Sequence, residues 1–514
     1  MPRLSLPFRR IPSSVPTTKE PDVFANSLHK TLEAHRSSNR ASLIRKVYPR
    51  APSPGLFRPW ILPENRAGYQ PPAPIPTLED SEIKKVKSEE GRHNRTRESK
   101  LPSEDDRPGP GVICTADPSI YDPLGQRPWL RYIPPSQVTG DAFAYLDAEI
   151  RALGSYLAPS PEEQSQVTRI NTEVISLLET KIPSPPKLFG PHRMGLALAH
   201  SNLDFLIPFT DPSRSPDRTR MPSATRPQIQ DAHTKLLRQV QSALQSTLTF
   251  NGRIWLQTKV PRMQARHQPT GLKLRFVCGE NVPAIIEYLQ DYMVEYPALR
   301  PLYFGIRALL EARGLYSSSH GNVSSHANVS SYAGIENNAL LMLLVAFLKM
   351  NHGRFTGPNA LGYQFIAFLK LYGTGVDLCS VGVAVDPPGF FDNKTLRATN
   401  EDAESAYRRG QRSLMSAKRN AVAKGNLPAA RRLCIQDPTH YMKDLGRSCT
   451  RTTELQGVFK TAYEQLSEAL EKWEGPSEDS SILATALRAT FDGFEERRRQ
   501  TTRGTEAYSR PKTD

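Results

Sequence analysis

Amphipathic helices mixed with short apolar strands as far as residue 281, and helical periodicity alone beyond it, predict an α+β protein with a second, all-helical part. A third observation concerns the 45 prolines of this 514-residue chain: with charged residues they dominate the stretch before residue 112, which predicts a disordered N-terminal extension. A hydrophobic content of 38% is sufficient for real cores in the remainder.

Residues 1–50 hold ten Lys or Arg against three acids. The opening, rich in arginine and serine and free of acids before Glu20, has the composition of a mitochondrial transit peptide; Pro2, Pro7 and Pro12 oppose the helix such a peptide forms, and a plain basic tail is the alternative. Phe24, Leu28 and Leu32, then Leu43, Ile44 and Val47, fall at the spacing of a short amphipathic helix. Residues 51–128, with "KKVKSEEGRHNRTRESKLPSEDDRPGPG", carry too little apolar surface to offset ordering entropy and read as linker. The body is expected from Trp129. There "DAFAYLDAEIRALGSYL" and, after the start signal Pro159-Ser160-Pro161-Glu162, "EEQSQVTRINTEVISLLETKI" predict two leading helices. "LDFLIPF", "RIWLQTKV" and "LKLRFVC" predict strands and "DAHTKLLRQVQSALQSTL" a helix, so residues 129–281 form one α+β unit. Four further helical patterns define a helical domain over 282–474 with a basic insertion at 404–432, and 475–514 reads as a C-terminal helix and basic tail. The repeat "SSHGNV"–"SSHANV" brings His320 and His326 close in sequence; in so polar a stretch it reads as an insertion rather than a metal site.

The net charge of +15 calls for a polyanionic partner, RNA or an anionic membrane surface. No apolar run approaches the roughly 18 residues of a membrane span. The five cysteines are scattered without a CxxC pair, which predicts a reducing compartment and no structural zinc.

The stretch "LFGPHRMGLALAHSNLDFLI" (188–207) has a glycine turn, a short polar segment and then an apolar run carrying Asn202-Leu203-Asp204. Residues i and i+2 of a strand share a face, so two acids at this spacing, with a third on a neighbouring strand, can hold a pair of magnesium ions. Gly190-Pro191, Met194-Gly195-Leu196 and Ser201-Asn202-Leu203-Asp204 resemble the corresponding motif of the non-canonical poly(A) polymerases and terminal uridylyltransferases. The segments 296–315, 357–373 and "CIQDPTHYMKDLGRS" (434–448) follow in that family's order, so the resemblance covers about 146–470. It implies a nucleotidyltransferase palm of mixed sheet and helices, a helical PAP-associated domain, RNA and a nucleoside triphosphate as substrates, and Mg2+ or Mn2+ as cofactor.

The departures bear on activity. The family's serine is Pro191, which has neither a hydroxyl nor a backbone N–H; its first metal carboxylate is Asn202; its third aligns with Arg275. Only Asp204 is retained. Of two phosphate-gripping lysines, one aligns with Arg307 and the other with Glu311. The Ser-Tyr motif aligns with Glu336-Asn337-Asn338 or, alternatively, with Ser330-Ser331-Tyr332. Asp437, Asp444, Gly446 and Arg447 are kept in the loop, with Lys443 in place of asparagine. Asp211 and Glu280 lie nearby in sequence, at no strand position that completes a cage. The implied cleft is Gly190, Pro191, Gly195, Arg307, Asn337, Asn338, Asp437, Asp444 and Arg447. Arg408, Arg409, Arg412, Lys418 and Arg419 are the expected RNA contacts. The expected function is a catalytically impaired pseudoenzyme that binds RNA or an RNA–protein assembly, in mitochondria or elsewhere inside the cell. An active RNA 3′-end nucleotidyltransferase and a structural subunit with a vestigial cleft are the alternatives.

Overall fold

A computed structural model describes residues 113–116, 124–137, 140–209, 226–250, 252, 254–258, 261–279, 282–317, 334–357, 359–398, 406–477 and 480–509. The expectations for residues 1–50, for most of the linker, and for Asp211, Glu280, His320, His326 and Ser330-Ser331-Tyr332 fall outside the described residues.

The body starts earlier than Trp129. Ile113 and Cys114 are buried, and strand β1 (Thr115–Ala116) pairs antiparallel with a strand from the far C-terminal part, Thr115 opposite Thr490. Helix α1 (Ala142–Leu157) is capped by the Asp141 side chain, which accepts from Phe143 N at 3.1 Å. Helix α2 (Pro161–Leu178) begins with a capping box in which Ser160 and Glu163 each accept the other's backbone N–H, and Pro161 occupies the first turn, where no N–H is needed.

The sheet follows, in strands β2 (Lys187–Phe189) and β3 (Leu203–Pro208) with the short helix α3 (Pro191–Met194) between them, then helix α4 (Arg226–Gln245) and strands β4 (Trp255–Gln257), β5 (Arg262–Arg266) and β6 (Lys273–Gly279). Their order is β2-β3-β6-β5-β4, with β3 and β6 parallel and the other pairs antiparallel. Alternation divides the faces: Leu203, Phe205, Ile207, Leu274, Phe276, Met263 and Ala265 pack with Ile170, Val174 and Leu178 of α2 and Leu237, Val240 and Leu244 of α4. The opposite face bears Asp204, Arg275, Gln264 and Arg262, together with the apolar Phe189, Leu206 and Val277.

Beyond the sheet lie α5 (Ala284–Glu295), α6 (Leu299–Ala312), the paired strands β7 (Tyr316–Ser317) and β8 (Ile335–Glu336), α7 (Asn337–Met350) and α8 (Ala360–Lys370). A hairpin of β9 (Gly382–Val385) and β10 (Pro388–Phe391) leads through α9 (Asn393–Ala398) to α10 (Ala406–Ala423) and α11 (Leu427–Arg431). The described chain closes with α12 (Thr452–Glu471), α13 (Ile482–Leu487), β11 (Ala489–Thr490) and α14 (Asp492–Ser509). Fold class thus matches the α+β expectation: a mixed sheet with helices, joined to a mainly helical part.

Two sets of contacts run across the boundaries expected from the sequence. Helix α1 packs on α6, α8 and α13, so its apolar face belongs to the helical core rather than to the palm. Within 475–514, where a helix and a basic tail are expected, Phe491 and Phe494 are buried against Trp129 and Tyr156, with ring centroids 5.3–5.7 Å apart. All five cysteines are free, and no helix among the described residues is long and apolar enough to cross a membrane.

Candidate functional site

Asp204 and Arg275 stand directly opposite each other on the parallel strands β3 and β6. The guanidinium Nε donates to Asp204 Oδ1 at 2.7 Å and Nη2 lies 2.5 Å from the same oxygen. Asp204 is 3% exposed. Burial pushes its carboxyl above the ordinary aspartate value, and the charge and hydrogen bond of Arg275 pull the other way.

Gly190 completes this contact. It ends the turn after β2 with φ +73°, and a Cβ there would sit 2.5 Å from Asp204 Oδ2, so both the backbone angle and the carboxylate require glycine. Pro191 opens α3, and Gly195, at φ +70°, closes it. Asn202 is half-buried and lies one residue before β3 begins.

A divalent metal does not fit this donor set. Among the described residues of these strands one carboxylate is present, and it is held by an arginine on the strand from which a third ligand would come. Among the described residues no group of three or more His, Cys, Asp or Glu side chains is placed to hold a metal ion.

The other expected cleft residues gather in separate clusters. Arg307 is 7% exposed: its Nε donates to Glu311 Oε1 at 2.7 Å, its Nη1 to the Tyr303 hydroxyl at 3.1 Å, and its guanidinium lies over the Tyr316 ring. Glu311 also accepts from Ile113 N at 2.5 Å. Arg307, expected in the cleft, thus has its charge met by Glu311 inside the helical core. Asp437, 1% exposed, accepts from Thr439 N and Oγ1 and pairs with Lys443 at 3.1 Å. Asp444 accepts from Ile435 N and Gly446 N and pairs with Arg432 at 3.2 Å. Both acids shape the 434–448 loop from within, while Arg447 is exposed. Asn337 and Asn338 occupy the first turn of α7, half-buried.

No family model matches the chain. Poly(A) RNA polymerase cid14 of Schizosaccharomyces pombe is 27% identical over 328 residues, which span 61% of this chain and 39% of that protein. The chain thus spans about two fifths of the curated relative it matches. The solved polymerase core of TRAMP, an RNA surveillance complex, superposes with a TM-score of 0.51 at 18% identity, covering 71% of this chain and all of that one. The chain is a fold relative of the non-canonical poly(A) polymerases. The solved apo form of mtPAP gives a TM-score of 0.48 at 14% identity over 78% of this chain and 80% of that one.

In this polymerase-like fold the basic insertion forms α10, packed on the 434–448 loop through Gln436, whose side-chain amide donates to the Tyr407 and Tyr441 carbonyls. Lys418, expected to contact RNA, is 5% exposed and donates to Arg432 O at 2.9 Å; burial lowers its pKa. Arg408 is half-buried, with its guanidinium against the Tyr407 ring. Arg409, Arg412 and Arg419 are exposed, and their spacing places them on one side of the helix. Sequence reasoning missed the cations of β5, since Arg262 and Arg266 sit in a strand with little apolar alternation to mark it.

Proposed function

We propose that this chain binds RNA, or an RNA–protein assembly, through a polymerase-like fold that has lost metal-dependent transfer. The single observation that supports the loss is Arg275 in register with Asp204 and bonded to it. A permanently charged guanidinium takes the place of a ligand that would bridge two cations, and it satisfies the carboxylate that remains. Phosphoryl transfer depends almost wholly on such charge stabilisation; losing about 4 kcal/mol of it slows the reaction roughly a thousandfold. The net charge of +15 supports a nucleic-acid partner. The basic opening supports import into mitochondria, tested by fusing residues 1–50 to a fluorescent reporter, where diffuse cytosolic signal would count against it.

Purified protein incubated with a labelled oligoribonucleotide, each nucleoside triphosphate in turn, and Mg2+ or Mn2+ should give no extension. The double variant Asn202→Asp, Arg275→Asp should gain Mg2+-dependent nucleotide binding. Extension by the unmodified protein that vanishes in Asp204→Ala would return the chain to the active transferases.

A further inference from the structure

Strand register defines the polar face of the sheet in three rows. Phe189, Asp204, Arg275, Gln264 and Trp255 lie side by side across all five strands; Lys187, Leu206, Val277, Arg262 and Gln257 form the next row; Lys273 and Arg266 pair on the other side. Among the described residues of these strands, this face carries Lys187, Arg262, Arg266, Lys273 and Arg275 against one acid, Asp204. Arg275 is matched by Asp204, but the nearby Arg262 is not: its Nε donates to the neutral Gln257 side chain, and it forms no ion pair with a carboxylate among the described residues. Burial and the charge of Arg275 both disfavour the charged form of Arg262. Trp255, 36% exposed, lies diagonally across from Arg262 on the edge strand β4.

We propose that this face binds single-stranded RNA, with one phosphate held by Arg262 and the adjoining base stacked on Trp255. An unpaired, half-buried cation calls for an anion, and an exposed indole on the same face supplies the platform that nucleobases use. Lys273 and Arg266 extend the cationic track along the sheet. The inference rests on the RNA-binding reading and names where a strand lies.

The test uses the full chain and a fluorescent uridine or adenosine oligoribonucleotide, with affinity measured across a salt series. Trp255→Ala should weaken binding between about fivefold and a hundredfold, the stacking contribution of one base, while Trp255→Phe retains most of it. Arg262→Gln should weaken binding and reduce the slope of log affinity against log salt by about 0.7. Melting curves for each variant separate these losses from unfolding. If the wild type binds RNA and the Trp255→Ala and Arg262→Gln variants bind equally well, this placement is wrong and the RNA reading stands. A wild type that binds no RNA overturns both. ATP or UTP binding that is lost in these variants, without any RNA binding, would assign the face to free nucleotide and overturn the proposal.

Discussion

Asp204 and Arg275 share two contacts to one oxygen, in a setting where neither is readily hydrated. Removing one partner of such a pair leaves the other buried and uncompensated, which costs about 3 kcal/mol or more. Asp204→Ala is accordingly expected to lower unfolding free energy by about that amount in denaturant titrations; a change within about 0.5 kcal/mol would show that Arg275 swings out to water. The fate of individual charged side chains was the least legible part of the sequence. Arg275, Arg307 and Lys418 look alike as letters, yet one neutralises an acid across a sheet, one is enclosed by Glu311, Tyr303 and Tyr316, and one is drawn inward to a carbonyl. Each outcome depends on a partner distant in sequence or on a helix face that only packing selects, and local composition holds neither.

Among the elements, α10 presents Arg409, Arg412 and Arg419 outward. Changing all three to Gln should reduce the salt slope of RNA binding by about 2, at roughly 0.7 per cation on a single strand, with little change in stability. Lys418→Gln should do the reverse, lowering the melting temperature while leaving the slope alone; equal slopes for wild type and triple variant would remove α10 from the RNA path. Strand β1 is tied down by the buried Ile113. Ile113→Ala should cost about 2–4 kcal/mol in a urea titration, and a negligible cost would mean that the segment is only loosely docked. Long elements were legible because they bury one face over many residues: α1, α2 and α4 to α8 follow their apolar periodicity and β6 its alternation, while β3 reads as a buried apolar run. The two-residue strands β1 and β11 were not, since so short a segment has no period, and β5 was passed over because "RMQAR" reads as polar.

For the whole molecule, Glu149 is a buried group through which pH acts on stability. It lies on α1 and accepts from Leu483 N at 2.9 Å, from Trp129 Nε1 at 3.4 Å and from Ser481 Oγ, joining three distant stretches of chain. Burial pushes its carboxyl up to about 7, against the pull of these donors. Since 7 lies above the ordinary 4.5, the folded state holds a proton that the unfolded chain has released; this contribution is full below about pH 4.5 and is lost as the pH rises through about 7. The shift corresponds to about 3 kcal/mol. Unfolding free energies should therefore fall by that order between about pH 4.5 and 8 in the wild type relative to Glu149→Gln, and parallel curves would show the group ionised throughout. The same three-way junction governs how the chain is made. Glu149 and Leu483 are 334 residues apart. At about 5–20 residues per second, the ribosome delivers α13 roughly 20–70 s after α1 has emerged. Through that interval the apolar side of α1 lacks a part of its cover, so the first helix of the body is a ready client for ribosome-associated chaperones until α13 has emerged.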